Sequence, residues 1–206
     1  MGKESPERKA KCPHCRAALD PKPKRKAKCR YCGQAFVVRG GVLLTEEEAA
    51  IQDWLSRLES LGVTRKDFDS HRQQLSRQFG FKAPVNDTIW RILNSLITAK
   101  ADHVQLVRVY VEMAGLLRLE GKDARWCSEE ARRHHLLEVI EGLRDSAHSG
   151  FDMRLVVSTC NDSLVCPVCQ ALAKRTYTLA EAESLLTSTC RSEGGCRCSY
   201  GLRLAR

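Results

Sequence analysis

Apolar residues recur at helical spacing through the middle of the chain and alternate near both ends. Thr45 with Glu48 has the form of a capping box, and Ile51, Trp54, Leu55, Leu58 and Leu61 make one stripe before Gly62. Thr64 opens a second helix with Phe68, Leu75 and Phe79 facing inward, ended by Gly80. "KAPVNDT" interrupts the pattern. From about Thr88 to Leu119 the spacing predicts two helices with a joint near Ala101–Asp102, and after "EGKD" a last helix from about Ala124 to Ala147. The expected core of this helical bundle is Trp54, Leu55, Leu58, Phe68, Trp90, Leu93, Leu96, Leu106, Leu117 and Leu137.

Strand signals flank the helices. "GQAFVVRGGVLL" predicts a hairpin turning at Gly40–Gly41, "FDMRLVVSTC" a strand, and "CRCSYGLRLA" a closing strand. Thr178 and Glu181 form another capping box, opening the short helix "LAEAESLLT". The expected fold is mainly α with two small zinc-stabilised β modules. Residues 1–44 form a basic zinc ribbon, 45–122 a helical region, and 123–206 a helix plus a C-terminal cysteine-rich α+β module.

Composition narrows the class. The 206 residues are 43% hydrophobic and 29% charged, as in a soluble globular protein. No apolar run approaches the ~20 residues that span a bilayer. "MGKESPERKAKC" has no apolar segment of the signal-peptide kind, so a cytoplasmic protein without a membrane partner is expected. Eleven cysteines in a reducing compartment point to metal ligands rather than disulfides. The three C-x2-C pairs lack the βαβ setting of a thioredoxin-like redox centre.

Charge is unevenly placed. Residues 1–44 hold 12 Lys/Arg against 3 Asp/Glu and so carry the whole net charge of +9. That asymmetry favours an anionic partner such as nucleic acid.

Cys12, Cys15, Cys29 and Cys32 are spaced C-x2-C-x13-C-x2-C. Each pair can form a tight turn that presents two thiolates, and two such turns complete a tetrahedral zinc site. "CPHC" and "CRYCG" resemble zinc-ribbon knuckles over about residues 10–44, with His14 a spacer rather than a ligand. Between the pairs runs "DPKPKRKAK". Lys22, Lys24, Arg25, Lys26 and Lys28, with Arg30 and Tyr31 at the edge, are candidates for phosphate contact. A solvated charge run that keeps a small module soluble is the competing reading.

A second cluster lies near the C-terminal end. Cys166 and Cys169 form one knuckle, and Cys196 and Cys198, two apart on an expected strand, face the same way. The expected ligands are Cys166, Cys169, Cys198 and one of Cys196 or Cys190, giving two zinc ions per chain. Cys127 and Cys160 read as buried small hydrophobes.

"VVSTCNDSLVCPVCQAL", "YTLAEA" and the late "CRC" resemble the zinc-binding C-terminal module of phage head-morphogenesis proteins, the Mu F-like minor head proteins, and of related bacterial proteins. Thr159, Asp162, Cys166, Pro167, Cys169, Leu172, Tyr177, Glu181, Ala182, Cys190, Cys196, Arg197, Cys198 and Tyr200 carry the resemblance, which spans about Tyr110 to Tyr200. It implies a role in protein assembly.

Enzyme signatures are missing. No histidine has Glu two residues on, as a zinc deaminase requires, and no His-Glu-x-x-His or P-loop occurs. His134, His135 and Glu138 come nearest to an acid–base cluster, and their spacing suits a solvated helix face. The sequence therefore favours a non-enzymatic zinc protein that contacts nucleic acid through its ribbon and a protein through its C-terminal module. A phage- or prophage-derived assembly protein is the alternative.

Overall fold

The computed structural model describes residues 10–99, 102–160, 162–163, 165–187, 190 and 198–205. Two compact units divide the chain, Met1–Val85 and Asn86–Arg206.

The first unit begins with two small antiparallel sheets. Strand β1 (Ala10–Lys11) pairs with β2 (Ala18–Leu19), and β3 (Ala27–Lys28), β4 (Ala35–Arg39) and β5 (Val42–Leu44) form the second sheet in that order. The predicted hairpin joins β4 to β5 with Arg39 opposite Val42. Its turn residues Gly40 and Gly41 have φ of 52° and 77°. Two successive positive φ values define the mirror-image turn that matches strand twist, which is why both positions are glycine. The buried residues here are Cys12, Leu19, Cys29 and Phe36, so half of this core is cysteine.

Helix α1 (Glu46–Leu58) follows and packs against β4 and β5, burying Ala49, Ile51, Trp54 and Leu58. A 3-10 turn (Glu59–Leu61) and Gly62 lead to α2 (Arg65–Phe79). Thr64 and Asp67 make a full capping box on α2, whereas at Thr45 only half of the predicted box forms. Thr45 Oγ1 accepts the Glu48 amide, but the Glu48 carboxylate turns to Arg65 at 2.5 Å. That exchange joins α1 to α2. Glu47 likewise pairs with Arg72 and Lys82, and Glu46 with Lys26. Three acidic residues in the first turn of α1 suit the helix dipole and also tie down their basic neighbours. The expected helical region 45–122 runs across the division at Val85, with α1 and α2 in the same unit as the ribbon. Phe79, expected inward, is exposed and stacks on Phe81 with ring centroids 5.4 Å apart.

Helix α3 (Val85–Thr98) leads into the second unit, where α4 (His103–Leu119) and α5 (Arg125–His148) form a helical hairpin. Asp102 caps α4, at the expected joint. The antiparallel sheet β7-β6-β8 packs on α5. Its strands are β6 (Met153–Ser158), β7 (Thr176–Tyr177) and β8 (Ser199–Leu204). Short helices α6 (Pro167–Leu172) and α7 (Leu179–Ser184) lie between them in sequence, and Thr178 with Glu181 forms the predicted capping box. Leu136, Val139, Ile140 and Leu143 of α5 meet Leu155 and Val157 of β6, with Tyr177, Ala182, Leu185 and Tyr200 completing the core.

The predicted core is one residue out of phase on several helices. Leu55, Trp90, Leu96, Leu106, Leu117 and Leu137 are half-buried, while Ile51, Ile89, Ile92, Val109, Leu116 and Leu136 are fully buried. Where two apolar residues adjoin, as at Leu116–Leu117 and Leu136–Leu137, hydrophobicity alone does not choose between positions 100° apart on the helix. Packing chooses the set Leu136, Ile140, Leu143, which keeps one face. Leu136→Ala should therefore cost ~2–5 kcal/mol in urea unfolding of the metal-loaded protein, and Leu137→Ala less than half as much.

Candidate metal centres

The two N-terminal knuckles share one local design. In the first, the Cys12 carbonyl accepts the Arg16 amide at 3.0 Å and the Cys12 amide donates to Ala17 at 2.9 Å. In the second, the Cys29 carbonyl accepts from Gly33 at 2.8 Å and the Cys29 amide donates to Gln34 at 2.9 Å. The His14 and Tyr31 amides point at Cys12 Sγ and Cys29 Sγ, both at 3.4 Å. Each turn closes on a left-handed residue, Gly33 with φ 72° and Arg16 with φ 62°. Glycine announces that conformation in the sequence; arginine does not.

These turns bring four sulfurs together. Cys12 Sγ lies 3.8 Å from Cys32 Sγ, Cys15 Sγ lies 3.8 Å from Cys29 Sγ, and all four fall within 4.8 Å of one another. A tetrahedral ion with metal–sulfur bonds of about 2.3 Å has a sulfur–sulfur edge of about 3.8 Å. The donor set and spacing therefore fit one tetrahedral metal ion. Burial opposes ionisation of Cys29, but amide hydrogens of Cys32 and Tyr31 and the Cys12 and Cys32 thiols bring its pKa down to about 6. Cys32 moves the opposite way: the Gln34 amide favours its thiolate, but burial and its three cysteine neighbours push it up to about 12. The Cys29 thiolate is thus ready near neutral pH, and a metal must displace the proton of Cys32. His14 is exposed, as expected of a spacer, and its Nε2–H donates to the Ala35 carbonyl at 2.9 Å, bracing the first knuckle against β4.

The second cluster gathers Cys166, Cys169 and Cys190, again within 4.8 Å of one another. Cys190 Sγ is 3.7 Å from Cys166 Sγ and 3.8 Å from Cys169 Sγ, the same tetrahedral edge. Cys166 sits at the N-cap of α6, where its sulfur accepts the Cys169 amide at 3.5 Å and Pro167 fixes the first turn. Cys198, just before β8, packs against the same group. Of the two alternatives for completing this set, Cys190 is in place, and Cys196 lies outside the described residues. Cys127 is fully buried, as expected, and burial raises its pKa. Cys160, also expected to be buried, is exposed beyond the end of β6. The strand stops at Ser158, two residues earlier.

All six cations proposed for phosphate contact, Lys22, Lys24, Arg25, Lys26, Lys28 and Arg30, are exposed. Lys26 is held by Glu46 at 2.5 Å. Arg30 lies over the exposed Tyr31 ring, 5.0 Å from its centroid.

The histidines on α5 do not form a solvated face. His134 is half-buried, stacks on Tyr110 and shares an Nδ1–Nδ1 hydrogen bond of 2.9 Å with His103. His135 meets the Tyr200 ring edge-on, away from that pair. Adjacent helix positions project to different neighbours, so the two histidines do not act together.

No protein-family model, curated protein or solved structure matches the chain. Among the described residues, no helix is long and apolar enough to cross a membrane.

Elemental analysis of the purified protein should give about two equivalents of metal. Cys15→Ser should remove one of them and leave the second cluster filled. A strong chelator should unfold the ribbon, whose core is half cysteine, before it melts the helical hairpin, as read by amide exchange.

A second prediction concerns His134. Burial, helped by His103 and Arg133 against Glu130, holds its pKa below the ordinary value of about 6.5. The folded state then binds fewer protons than the unfolded chain. Stability from this site is complete above pH ~6.5 and declines as pH falls through the lower folded-state value. The melting temperature of His134→Gln should fall less than that of the wild type between pH 7.5 and 5.5.

Proposed function

We propose that the protein is a non-enzymatic, zinc-binding adaptor whose N-terminal ribbon docks on nucleic acid. The exposed basic loop between the two knuckles carries this reading. Lys22, Lys24, Arg25, Lys26 and Lys28 project from a segment held at both ends by cysteines of the candidate metal site, and Arg30 lies just beyond it in the second knuckle. A metal-clamped loop loses little conformational entropy on binding, so its cations suit phosphate contact. Tyr31, exposed beside Arg30, adds a ring on which a base can stack. Zinc is the ion best matched to an all-sulfur tetrahedral donor set. Four thiolates leave no open coordination position, which makes the metal's role structural.

A second reading rests on a different surface. Val104, Val111 and Leu119 of α4 and Trp126 of α5 are all exposed. Together with the resemblance of the C-terminal half to phage head-morphogenesis proteins, they favour a protein-assembly role.

Salt dependence separates the two. Log K for nucleic acid should fall by ~0.7–0.9 per neutralised phosphate for each tenfold rise in salt. Replacing Lys24, Arg25 and Lys26 by alanine should weaken binding to all sequences about equally and flatten that slope, with both metal equivalents retained. Part of the effect comes from loss of the Lys26–Glu46 pair, so Glu46→Gln is the control. Unchanged binding in the triple variant, or none by the wild type at low salt, gives first place to the assembly reading.

A further inference from the structure

A small pocket of about 160 Å³ opens in the ribbon beside the basic loop. Leu19 and Phe36, both buried, form its floor. Pro21 and Pro23 line it from the loop, so its apolar surface is a packed core edged by rigid rings. Its charged residues are Asp20, Lys28 and Arg30. All three are exposed, and their side chains make no hydrogen bond or ion pair among the described residues. Arg30 lies instead over the ring of Tyr31.

Asp20 is the odd member of this set. It is the only acidic residue between Ala10 and Leu44. Five cations stand between it and Cys29, yet it pairs with none of them. A carboxylate repels phosphate, so a surface that held only a phosphate backbone would gain nothing from it. Ionised, it accepts hydrogen bonds and donates none. What it offers a bound strand is two acceptor oxygens for the donors on a base edge. Guanine alone among the bases carries two adjacent donors on its pairing edge, N1–H and the 2-amino group. Adenine and cytosine set a ring acceptor beside their one amino group, and uracil and thymine flank their one N–H with carbonyls.

We propose that this pocket takes one unpaired guanine of a single-stranded nucleic acid. The ring lies against Pro21 and Pro23, and its N1–H and amino group donate to Asp20. Lys28 and Arg30 meet the adjoining phosphates, and Tyr31, under Arg30, offers its ring to the neighbouring base. The volume is well below the ~300 Å³ at which pockets for drug-sized ligands begin, so it admits one ring system and no base pair. In a duplex the same guanine edge is already taken by its partner. This inference rests on the nucleic-acid reading above and adds base selection to it.

Fluorescence anisotropy of the metal-loaded full chain, at one low salt concentration, tests the proposal with short labelled adenine strands that carry one central guanine or none. The guanine strand should bind about fivefold or more tightly, in both ribose and deoxyribose forms, because the base edge is common to both. Hypoxanthine in place of guanine lacks the 2-amino group and should lose most of that preference. Annealed to its complement, the guanine strand should lose its advantage over the annealed all-adenine strand. Asp20→Asn turns one acceptor into a donor and should abolish the preference. It should leave the all-adenine strand bound at least as tightly as before, because a negative charge is gone, with both metal equivalents retained. Equal binding of the two strands, or a preference that survives hypoxanthine or Asp20→Asn, overturns the base pocket and leaves phosphate contact standing. Binding of neither strand removes both readings. Should Asp20→Asn lose metal, the hypoxanthine strand, which needs no variant, decides.

Discussion

Sulfur spacing is the constraint on which the N-terminal ribbon, residues 10–44, depends. Its first two strands are two residues long each, and its buried cluster holds only Leu19 and Phe36 besides two cysteines. So little apolar area cannot offset the entropy of ordering some 40 residues. The knuckles supply the missing free energy only when four sulfurs lie at one metal's bonding distance. Every nearby feature serves that end: amides aimed at Cys12 and Cys29, left-handed residues after Cys15 and Cys32, and His14 bracing against β4. From this clamp the β4–β5 hairpin extends, and α1 takes its position on the hairpin.

Electrostatics continues what sulfur begins. Glu46, Glu47 and Glu48 each reach a different basic partner, Lys26, Arg72 and Arg65, across three segments. Exposed pairs of this kind contribute little singly. Arg72 is the exception, with its side chain mostly buried and its Nε also bonded to the Ala83 carbonyl. It fixes the chain leaving α2.

Much of this was legible in the sequence. The cysteine knuckles follow from cysteine spacing, the hairpin from Gly40–Gly41, the start of α2 from Thr64, and the capping box of α7 from Thr178–Glu181. Those signals are local, and the physics that produces them acts within a few residues. What the sequence hid depends on distant partners. Glu48 deserts its box because Arg65, 17 residues away, offers a charge. Adjacent leucines left the helix phase open until β6 and Tyr177 defined the buried side. Arg16 gives no sign of its left-handed backbone.

The sheet of the second unit also sets an order of events. Central strand β6 ends at Ser158, yet β8, its partner along six residue pairs, begins at Ser199. A ribosome adding ~5–20 residues per second leaves one edge of β6 bare for a few seconds while the intervening segment, roughly 40 residues, is made. Cys198 emerges only as β8 begins, so the second cluster cannot gather it before then. A newborn chain therefore completes its first knuckle pair early and carries an open strand edge until late. Chaperones and metal delivery meet two halves of one molecule at different ages.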